Sequence, residues 1–410
     1  MSAVNLAGKD ISLRQIPYPY RAMLAICSDL DNTPDQQVYF ETMRYLNTTE
    51  STIMGKGMGL EVGNTIYFDM PYGNFSYWNT DHAGQAMIRE LIQSGHIDCL
   101  HSYGELATSR RDVERALAEL SKYNCKIEVW VDHAKAASNF GRDIMEGRGD
   151  MKGSRIYHSD LTTNYGIKYA WCGRVTSVIG QDVKRSLNGI WNHSHPISSA
   201  RTLAKEWLKG LLAYTGSSKY AMHGSNQLLR ETYLRSGHKI YEFMRSNPHW
   251  GGVSCGDTAD GLAEVLTDQT LTRLVKRGGT SIIYTHLGKY HKPAPFKLAT
   301  IKALELLTKY AKEKQILVTT TSRLLRYGAM ISSLNISTAI ENNNLSLELI
   351  TNNGEKNLEG LTIYTKNPEK VSLNIKGHVI HDLHYNMPDH SGQTSVSIPW
   401  RPLEFPKGLS

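Results

Sequence analysis

The stretch "AMLAICSDLD", residues 22–31, decides the fold. It begins as an apolar run of the kind that becomes a buried strand. It then ends on two carboxylates, Asp29 and Asp31, which are separated by Leu30. Alternation along a strand would point both acids to the same side. Because burying carboxylates is costly unless something compensates their charge, the two acids predict a functional site at the end of this strand.

Short apolar runs alternate with helical patterns from about residue 22 to about residue 327. The runs "IDCLHSY" and "KIEVWVDH" have the composition of strands. Between them, Ser109 followed three residues later by Asp112 is typical of a helix start. This alternation predicts an α/β fold with parallel strands and helices outside. A barrel and a doubly wound sheet both fit the pattern.

The pattern changes after about Gly328. The runs "LSLELIT" and "KVSLNI" alternate apolar and polar residues with period two, and Asn353-Gly354 predicts a turn between strands. We therefore predict three parts: an N-terminal extension over residues 1–20, an α/β domain over 21–330, and a small antiparallel β domain over 331–410.

Composition excludes several classes of protein. The 410 residues are 40% apolar and 21% charged, and the net charge of +7 is spread without an arginine-rich tract, which argues against nucleic acid as a partner. The chain lacks a secretory-signal pattern and any apolar run near the ~20 residues of a membrane helix, so we expect no transmembrane segment and a cytoplasmic location. Five cysteines without a CxxC pair favour neither disulfides nor a structural zinc site. A homo-oligomer is left open.

Polar residues end several of the predicted strands. In parallel α/β folds these ends line the active site. Carboxylate and imidazole ligands suit zinc or another divalent transition metal, so the sequence predicts a metal site here. The residues at the strand ends are Asp29, Asp31, His101, Ser102, Glu105, Asp132, His133 and His286.

These motifs resemble those of the NodB-like polysaccharide deacetylases, carbohydrate esterase family 4, over roughly residues 20–330. "SDLDNT" is similar to the family's first motif, which carries two acids. "HSYGE" is similar to its second, in which two metal-binding histidines share a helical turn, with Glu105 in place of the second histidine. "THLGK" places His286 near the family's late histidine. The resemblance implies a distorted (β/α) barrel of about seven parallel strands.

The resemblance also implies roles. Asp29 would be the general base and His286 the proton donor to the leaving group. Asp31 and His101 would bind a divalent metal, which we expect to be zinc, and either Glu105 or His133 would be a further ligand. The substrate would be an N-acetylated sugar or polysaccharide, from which the enzyme removes the acetyl group.

Aromatic residues on predicted loops suggest a sugar-binding groove, because flat rings stack on sugar faces. Trp78 and Trp250, with Asp132 and Asp257, are therefore our candidates for substrate binding. Two other functions stay open. One is a metal-free glycoside hydrolase that uses paired carboxylates such as Asp29, Asp132 or Asp257. The other is an inactive glycan-binding protein built on a deacetylase-like barrel.

Overall fold

The computed structural model describes residues 11–134, 136–289, 296–341, 344–351 and 357–407. These residues form a mixed α/β structure with one large, curled and mostly parallel sheet, helices packed against it, and two small sheets built largely from the C-terminal part of the chain. The predicted α/β class is therefore confirmed.

The strands alternate with helices through most of the chain, as predicted. In chain order the strands are β1 (Ile11–Leu13), β2 (Ala22–Ser28), β3 (Ser51–Thr52), β4 (Gly55–Lys56), β5 (Gly63–Ile66), β6 (Ile97–His101), β7 (Val129–Val131), β8 (Tyr169–Trp171), β9 (Val175–Thr176), β10 (Leu229–Tyr233), β11 (Lys239–Phe243), β12 (Arg245–Ser246), β13 (Thr280–Thr285), β14 (Ile316–Val318), β15 (Leu334–Glu341), β16 (Asn344–Thr351), β17 (Thr362–Thr365), β18 (Val371–Ile375), β19 (His378–Val379), β20 (His384–Asn386) and β21 (Ser395–Ser397).

The helices begin and end where the local sequence favours it. Ser109 and Asp112 form the predicted capping box, and Gly95 follows the second helix with a positive φ of 82°. In chain order the helices are α1 (Gln36–Asn47), α2 (His82–Gln93), α3 (Arg110–Lys122), α4 (Ser159–Tyr165), α5 (Pro196–Tyr214), α6 (Ala221–Ser225), α7 (Leu262–Val265), α8 (Asp268–Arg277), α9 (Leu298–Lys312) and α10 (Thr321–Ser333).

The large sheet has the strand order β10-β11-β8-β7-β6-β5-β2-β13-β12-β9, and β14 also pairs with β2. All neighbours are parallel except β10 and β11. Strand β2 lies in the middle and is buried along its whole length, because its residues pack on both faces of the sheet. The carboxyl ends of β2, β6, β7 and β13 consequently lie along the same edge of the sheet.

The C-terminal part forms a separate small β domain, as predicted, but with two differences. One sheet has the order β1-β17-β21-β20. Its edge strand is β1, which belongs to the part of the chain that was predicted as a separate N-terminal extension. The other sheet has the order β15-β16-β18-β19 and contains one parallel pair, β16 with β18. Asn353-Gly354, predicted as a turn, lies outside the described residues, as do residues 1–10.

Within the described part of the chain, no helix combines the length and the apolar character that a bilayer crossing requires.

Candidate metal centre

The chain turns directly after β2, and two acids, Asp29 and Asp31, lie at this turn. The backbone N–H of Asp29 donates to the carbonyl of Thr285 on β13, 2.9 Å away, and the N–H of Leu30 donates to Thr65 Oγ1 at 3.1 Å. These bonds to both neighbouring strands fix the turn. They place the carboxylates of Asp29 and Asp31 at the carboxyl end of the sheet.

Three imidazoles face the carboxylate of Asp31. Nε2 of His101, from β6, lies 3.1 Å from Oδ2, and Nε2 of His133, after β7, lies 2.7 Å from Oδ1. Nε2 of His286, after β13, lies 3.4 Å from Oδ2. The histidine side chains are at most 6% exposed, whereas that of Asp31 is 18% exposed, so the cluster meets solvent through Asp31.

The tautomers of two of these histidines indicate that a cation fits between the side chains. Nδ1 of His101 donates to the carbonyl of Val131 at 3.3 Å, and Nδ1 of His286 donates to the carbonyl of Asp257 at 2.5 Å. In the neutral form of each ring, Nε2 carries a lone pair that faces the oxygens of Asp31. Two acceptors that face each other need a proton or a metal cation between them.

The spacing and the chemistry of these atoms also suit a metal. Asp31, His101 and His133 form one group whose ligand atoms all lie within 4.8 Å of one another, and Asp29, Asp31 and His286 form a second. Around a tetrahedral zinc with bonds of about 2.0–2.1 Å, ligand atoms are about 3.3 Å apart. Imidazole nitrogen with carboxylate oxygen is a donor set that zinc accepts readily. The residues present therefore fit the metal that the sequence predicts.

Asp29 is held by a buried arginine. Both oxygens of its carboxylate accept from Arg245 on β12, at 2.8 Å from Nη1 and 2.9 Å from Nη2. The guanidinium is fully enclosed and lies over the ring of Trp171, with Cζ 4.2 Å from the ring centroid. A bidentate pair of this kind fixes the orientation of the carboxylate as well as its charge. Asp29 therefore stays close to the Asp31 cluster, with Oδ2 3.9 Å from Nε2 of His101.

Both acids remain ionised because of their neighbours. Burial is the largest single influence and acts to raise the pKa of Asp29, but the charges of Arg245 and His101 and the hydrogen bonds from Arg245 together outweigh it, so the pKa lies below its ordinary value. Burial also acts to raise the pKa of Asp31, but the three histidines that face its carboxylate together outweigh burial and hold the pKa far below that of a free carboxyl.

Asn139 positions His133. Its Oδ1 accepts from the backbone N–H of His133 at 2.9 Å, and its Nδ2 donates to the carbonyl of the same residue at 2.9 Å. This double clamp fixes the backbone that follows β7. Nδ1 of His133 is buried and has no hydrogen-bond partner among the described residues, so its ring is held by the backbone and by Asp31.

Glu105 does not lie where the sequence predicted. A helical turn starting at His101 would have put both side chains on one face, but the chain turns sharply instead, with positive φ at Ser102 and Gly104. Helix α3 begins only at Arg110. Glu105 is exposed and belongs to neither metal-binding group of the described residues, while His133 comes from the neighbouring strand to the position facing Asp31.

The predicted substrate-binding residues differ in where they lie. Trp78 packs on Phe68 and Tyr77, and Arg115 lies over its ring. Trp78 is therefore part of the packing against the hydrophobic core. Asp132 points away from the metal cluster, because its Oδ1 accepts from Nε1 of Trp130 at 2.7 Å. The structure thus places neither residue at the metal cluster.

Asp132 is fully buried, which raises its pKa to about 7 although hydrogen bonds act against burial. Asp257 lies beside the cluster. Asp257 reaches it through its backbone carbonyl, which accepts from His286, and the ring of Trp250 stacks on His249 and His195 in the same loop region.

Arg245 is the residue that the sequence analysis missed. It follows the largely apolar stretch "YEFM", residues 241–244, shortly after the end of β11, much as Asp29 follows β2. That position is the signal that could have found it, since a charged residue directly after a buried strand needs a partner. The partner lies 216 positions away in the chain, which no local pattern identifies.

No protein-family model, no curated protein and no solved structure matches this chain.

Proposed function

We propose that the protein is a metal-dependent hydrolase that removes an N-acetyl group from a carbohydrate. The observation that carries the proposal is the convergence of three imidazole Nε2 atoms on Asp31, beside a second carboxylate that Arg245 orients. Asp31, His101 and His133 would hold the metal, which we take to be zinc. A distorted barrel of about seven strands is part of the same proposal.

A bound divalent cation supplies Lewis acidity, which polarises an amide carbonyl and makes water easier to deprotonate. Asp29 is ionised and fixed by Arg245, so it can accept a proton from the attacking water. Water adds to the acetamide carbon, the bond from that carbon to the sugar nitrogen breaks, and acetate and an amine result.

His286 is suited to protonate the departing amine. The carbonyl of Asp257 holds its Nδ1–H, so the ring keeps one orientation and Nε2 faces the cluster. The hydroxyl of Tyr284 lies 3.4 Å from Nε2 and limits how far the ring moves. A proton carried on Nε2 would therefore be delivered beside Asp29 and Asp31, where the amine forms.

The arrangement of the acids favours this function over a metal-free glycoside hydrolase. That chemistry needs two carboxyl groups that flank the bond to be cleaved. Asp132 points into the interior, so it does not form such a pair with Asp29. Asp31 faces three imidazoles, which is a ligand arrangement rather than that of an acid and a nucleophile.

The test is acetate release from oligomers of N-acetylglucosamine by protein reconstituted with zinc. Asp29→Asn should lower the rate by about 10²–10⁴-fold, because it removes the general base. Glu105→Gln is the matched control and should keep most of the rate, since Glu105 is exposed and belongs to neither metal-binding group of the described residues.

Three results would contradict the proposal. Equal acetate release by wild type and Asp29→Asn would exclude Asp29 as the base. Cleavage of the glycosidic bond would identify a glycoside hydrolase. Binding of the oligomers without any acetate release by the zinc-loaded protein would identify a glycan-binding protein.

A further inference from the structure

Helix α5 is amphipathic in the opposite sense to an ordinary surface helix. Its buried residues are small or polar: Ser199, Thr202, Glu206 and Gly210. Surface helices of globular proteins normally turn their apolar stripe toward the core and their polar residues toward water. The side of α5 that faces the rest of the protein is thus the polar one.

The outer face of α5 carries a continuous apolar stripe. At 100° of rotation per residue, its exposed apolar residues fall in one arc of roughly 120°. Trp207 is 60% exposed and Tyr214 is 82% exposed, so large rings stand in solvent. The residues of this stripe are Ile197, Ala200, Ala204, Trp207, Leu208, Leu211 and Tyr214.

Glu206 fixes the helix in this orientation. Its carboxylate is buried and accepts from Thr176 Oγ1 at 2.8 Å, from the backbone N–H of Ser177 at 3.1 Å, and from Nζ of Lys209 at 2.7 Å. Rotating the apolar stripe inward would break the bonds to Thr176 and Ser177, which lie outside α5, and would bury apolar groups against polar ones. The exposure of the stripe is therefore built into the fold.

The charge around the stripe has one sign. Arg201 and Lys205 are exposed along its edge and form no ion pair with the described residues. Between Val183 and Leu229 the sequence has six lysines and arginines, of which Arg185, Lys209 and Lys219 pair with acids, and the one acidic residue of this segment is the buried Glu206. Any partner of this surface must therefore combine an apolar layer with negative charge.

We propose that the outer face of α5 docks onto the surface of an anionic lipid bilayer. Tryptophan and tyrosine favour the boundary between headgroups and acyl chains, and adjacent lysines and arginines attract anionic lipids. A second copy of the chain fits less well. Two α5 helices packed together would bring Arg201 and Lys205 of both copies close, and the segment offers no exposed acid to pair with them.

Docking would also bring the candidate metal centre near the membrane. The ring of His195, at the start of α5, stacks on Trp250 with centroids 3.9 Å apart and planes 2° apart. Trp250 lies in the loop that leads from β12 to Asp257, whose carbonyl holds His286. This proximity would favour a lipid-anchored N-acetylated glycan as substrate, an inference that rests on the proposed function. The docking itself does not depend on that activity.

The test is co-sedimentation with vesicles of phosphatidylcholine, with and without phosphatidylglycerol. The wild-type protein should bind the mixed vesicles, and added salt should weaken binding. The double variant Trp207→Gln and Leu211→Gln should bind more than about tenfold more weakly. The matched control is Tyr385→Gln with Met387→Gln, which removes exposed apolar groups from the C-terminal region and should bind like wild type.

The charged edge is tested separately. Arg201→Gln with Lys205→Gln should weaken binding by on the order of 30-fold, at roughly fivefold for each cation near the surface. All substituted residues are exposed, so the variants should fold, and metal content reports on the candidate metal centre independently.

Three results would overturn the proposal. The first is no binding of wild type to anionic vesicles. The second is equal binding by the Trp207→Gln and Leu211→Gln variant. The third is a dimer in sedimentation velocity that this double variant abolishes, which would assign the surface to a second copy of the chain.

Discussion

Glu61 and Asp31 are both acids with little exposure to solvent, and the groups that surround them differ in kind. Glu61 accepts from Thr319 Oγ1 at 2.5 Å, from Nη1 of Arg323 at 2.6 Å, and from the backbone N–H of Leu403 at 2.9 Å. Each of these donors carries its proton permanently. Asp31, in contrast, faces imidazoles whose protons depend on pH and on ligands.

The difference separates an acid whose donors are all fixed from one whose neighbours could bind a metal. At Glu61 the donors already satisfy the carboxylate, and they join α10 to the C-terminal tail at Leu403. At Asp31 the neighbours are themselves potential metal ligands, so the group is complete only when a proton or a cation joins it. Burial alone does not distinguish the two sites, whereas the nature of the neighbouring donors does.

The largest expected effect on stability comes from a third acid, Asp29, which is buried. Arg245→Met would leave its carboxylate buried without a counter-charge, so the free energy of unfolding should fall by about 3–5 kcal/mol. Urea unfolding in the presence of a chelator measures this without a contribution from metal. Arg245→Lys should lower the free energy of unfolding by less, because a cation remains beside Asp29. A loss below about 1 kcal/mol for Arg245→Met would mean that the pair contributes little to stability.

Removing the arginine beside Glu61 should lower the free energy of unfolding by less than Arg245→Met does. Arg323→Met should lower the free energy of unfolding by about 3 kcal/mol, since Glu61 keeps the donors Thr319 and Leu403. Bound metal, measured on the same sample, should stay at the wild-type level. A variant that unfolds normally but has lost its metal would show that the two acids are coupled, against the comparison drawn above.

His158 is a buried histidine whose contribution to stability depends on pH. His158 donates from Nε2 to the carbonyl of Ser138 and accepts at Nδ1 from Thr162, so its neutral form is fully satisfied. Burial lowers its pKa to about 4 from an ordinary value of 6.5. Between those values the unfolded chain binds the proton and the folded chain does not. Stability is therefore present above pH 6.5 and falls as the pH drops toward 4.

The expected loss from His158 is about 2 kcal/mol between about pH 7 and pH 5. Urea unfolding at both pH values measures it, and His158→Gln should show a correspondingly smaller change. An unchanged pH dependence in the variant would place the effect on other histidines.

The smallest expected effect lies far from both acids. Ser109→Ala removes half of the capping box of α3 and should lower the free energy of unfolding by about 1 kcal/mol. Metal content should not change. Thermal or urea unfolding detects a loss of this size, and a loss above about 3 kcal/mol would mean that Ser109 does more than cap the helix.

Much of the fold could be predicted because its signals are local. Capping residues and apolar runs placed α3 and β2 correctly. The pairing of β1 with β17 joins residues about 350 positions apart, as at Ser12 and Tyr364, and no local signal carries that information. The same holds for the parallel pair β16 and β18, because period-two alternation does not give strand direction.

The site was predictable to a similar extent. Strand-end position identified Asp29, Asp31, His101, His133 and His286. The helical spacing of His101 and Glu105 suggested a shared face that a turn at Gly104 prevents. Arg245 was missed because its role depends on a partner from a distant strand.

The most direct test of this account is the metal content of the protein after purification without chelator and reconstitution with zinc. Elemental mass spectrometry should find about one equivalent in wild type. Asp31→Ala should lose it, and the matched variant Glu105→Gln should retain it, because Glu105 lies outside the cluster. Protein that binds no metal, or that binds it equally with Asp31→Ala, would contradict the claim that Asp31 and its histidines form a metal centre.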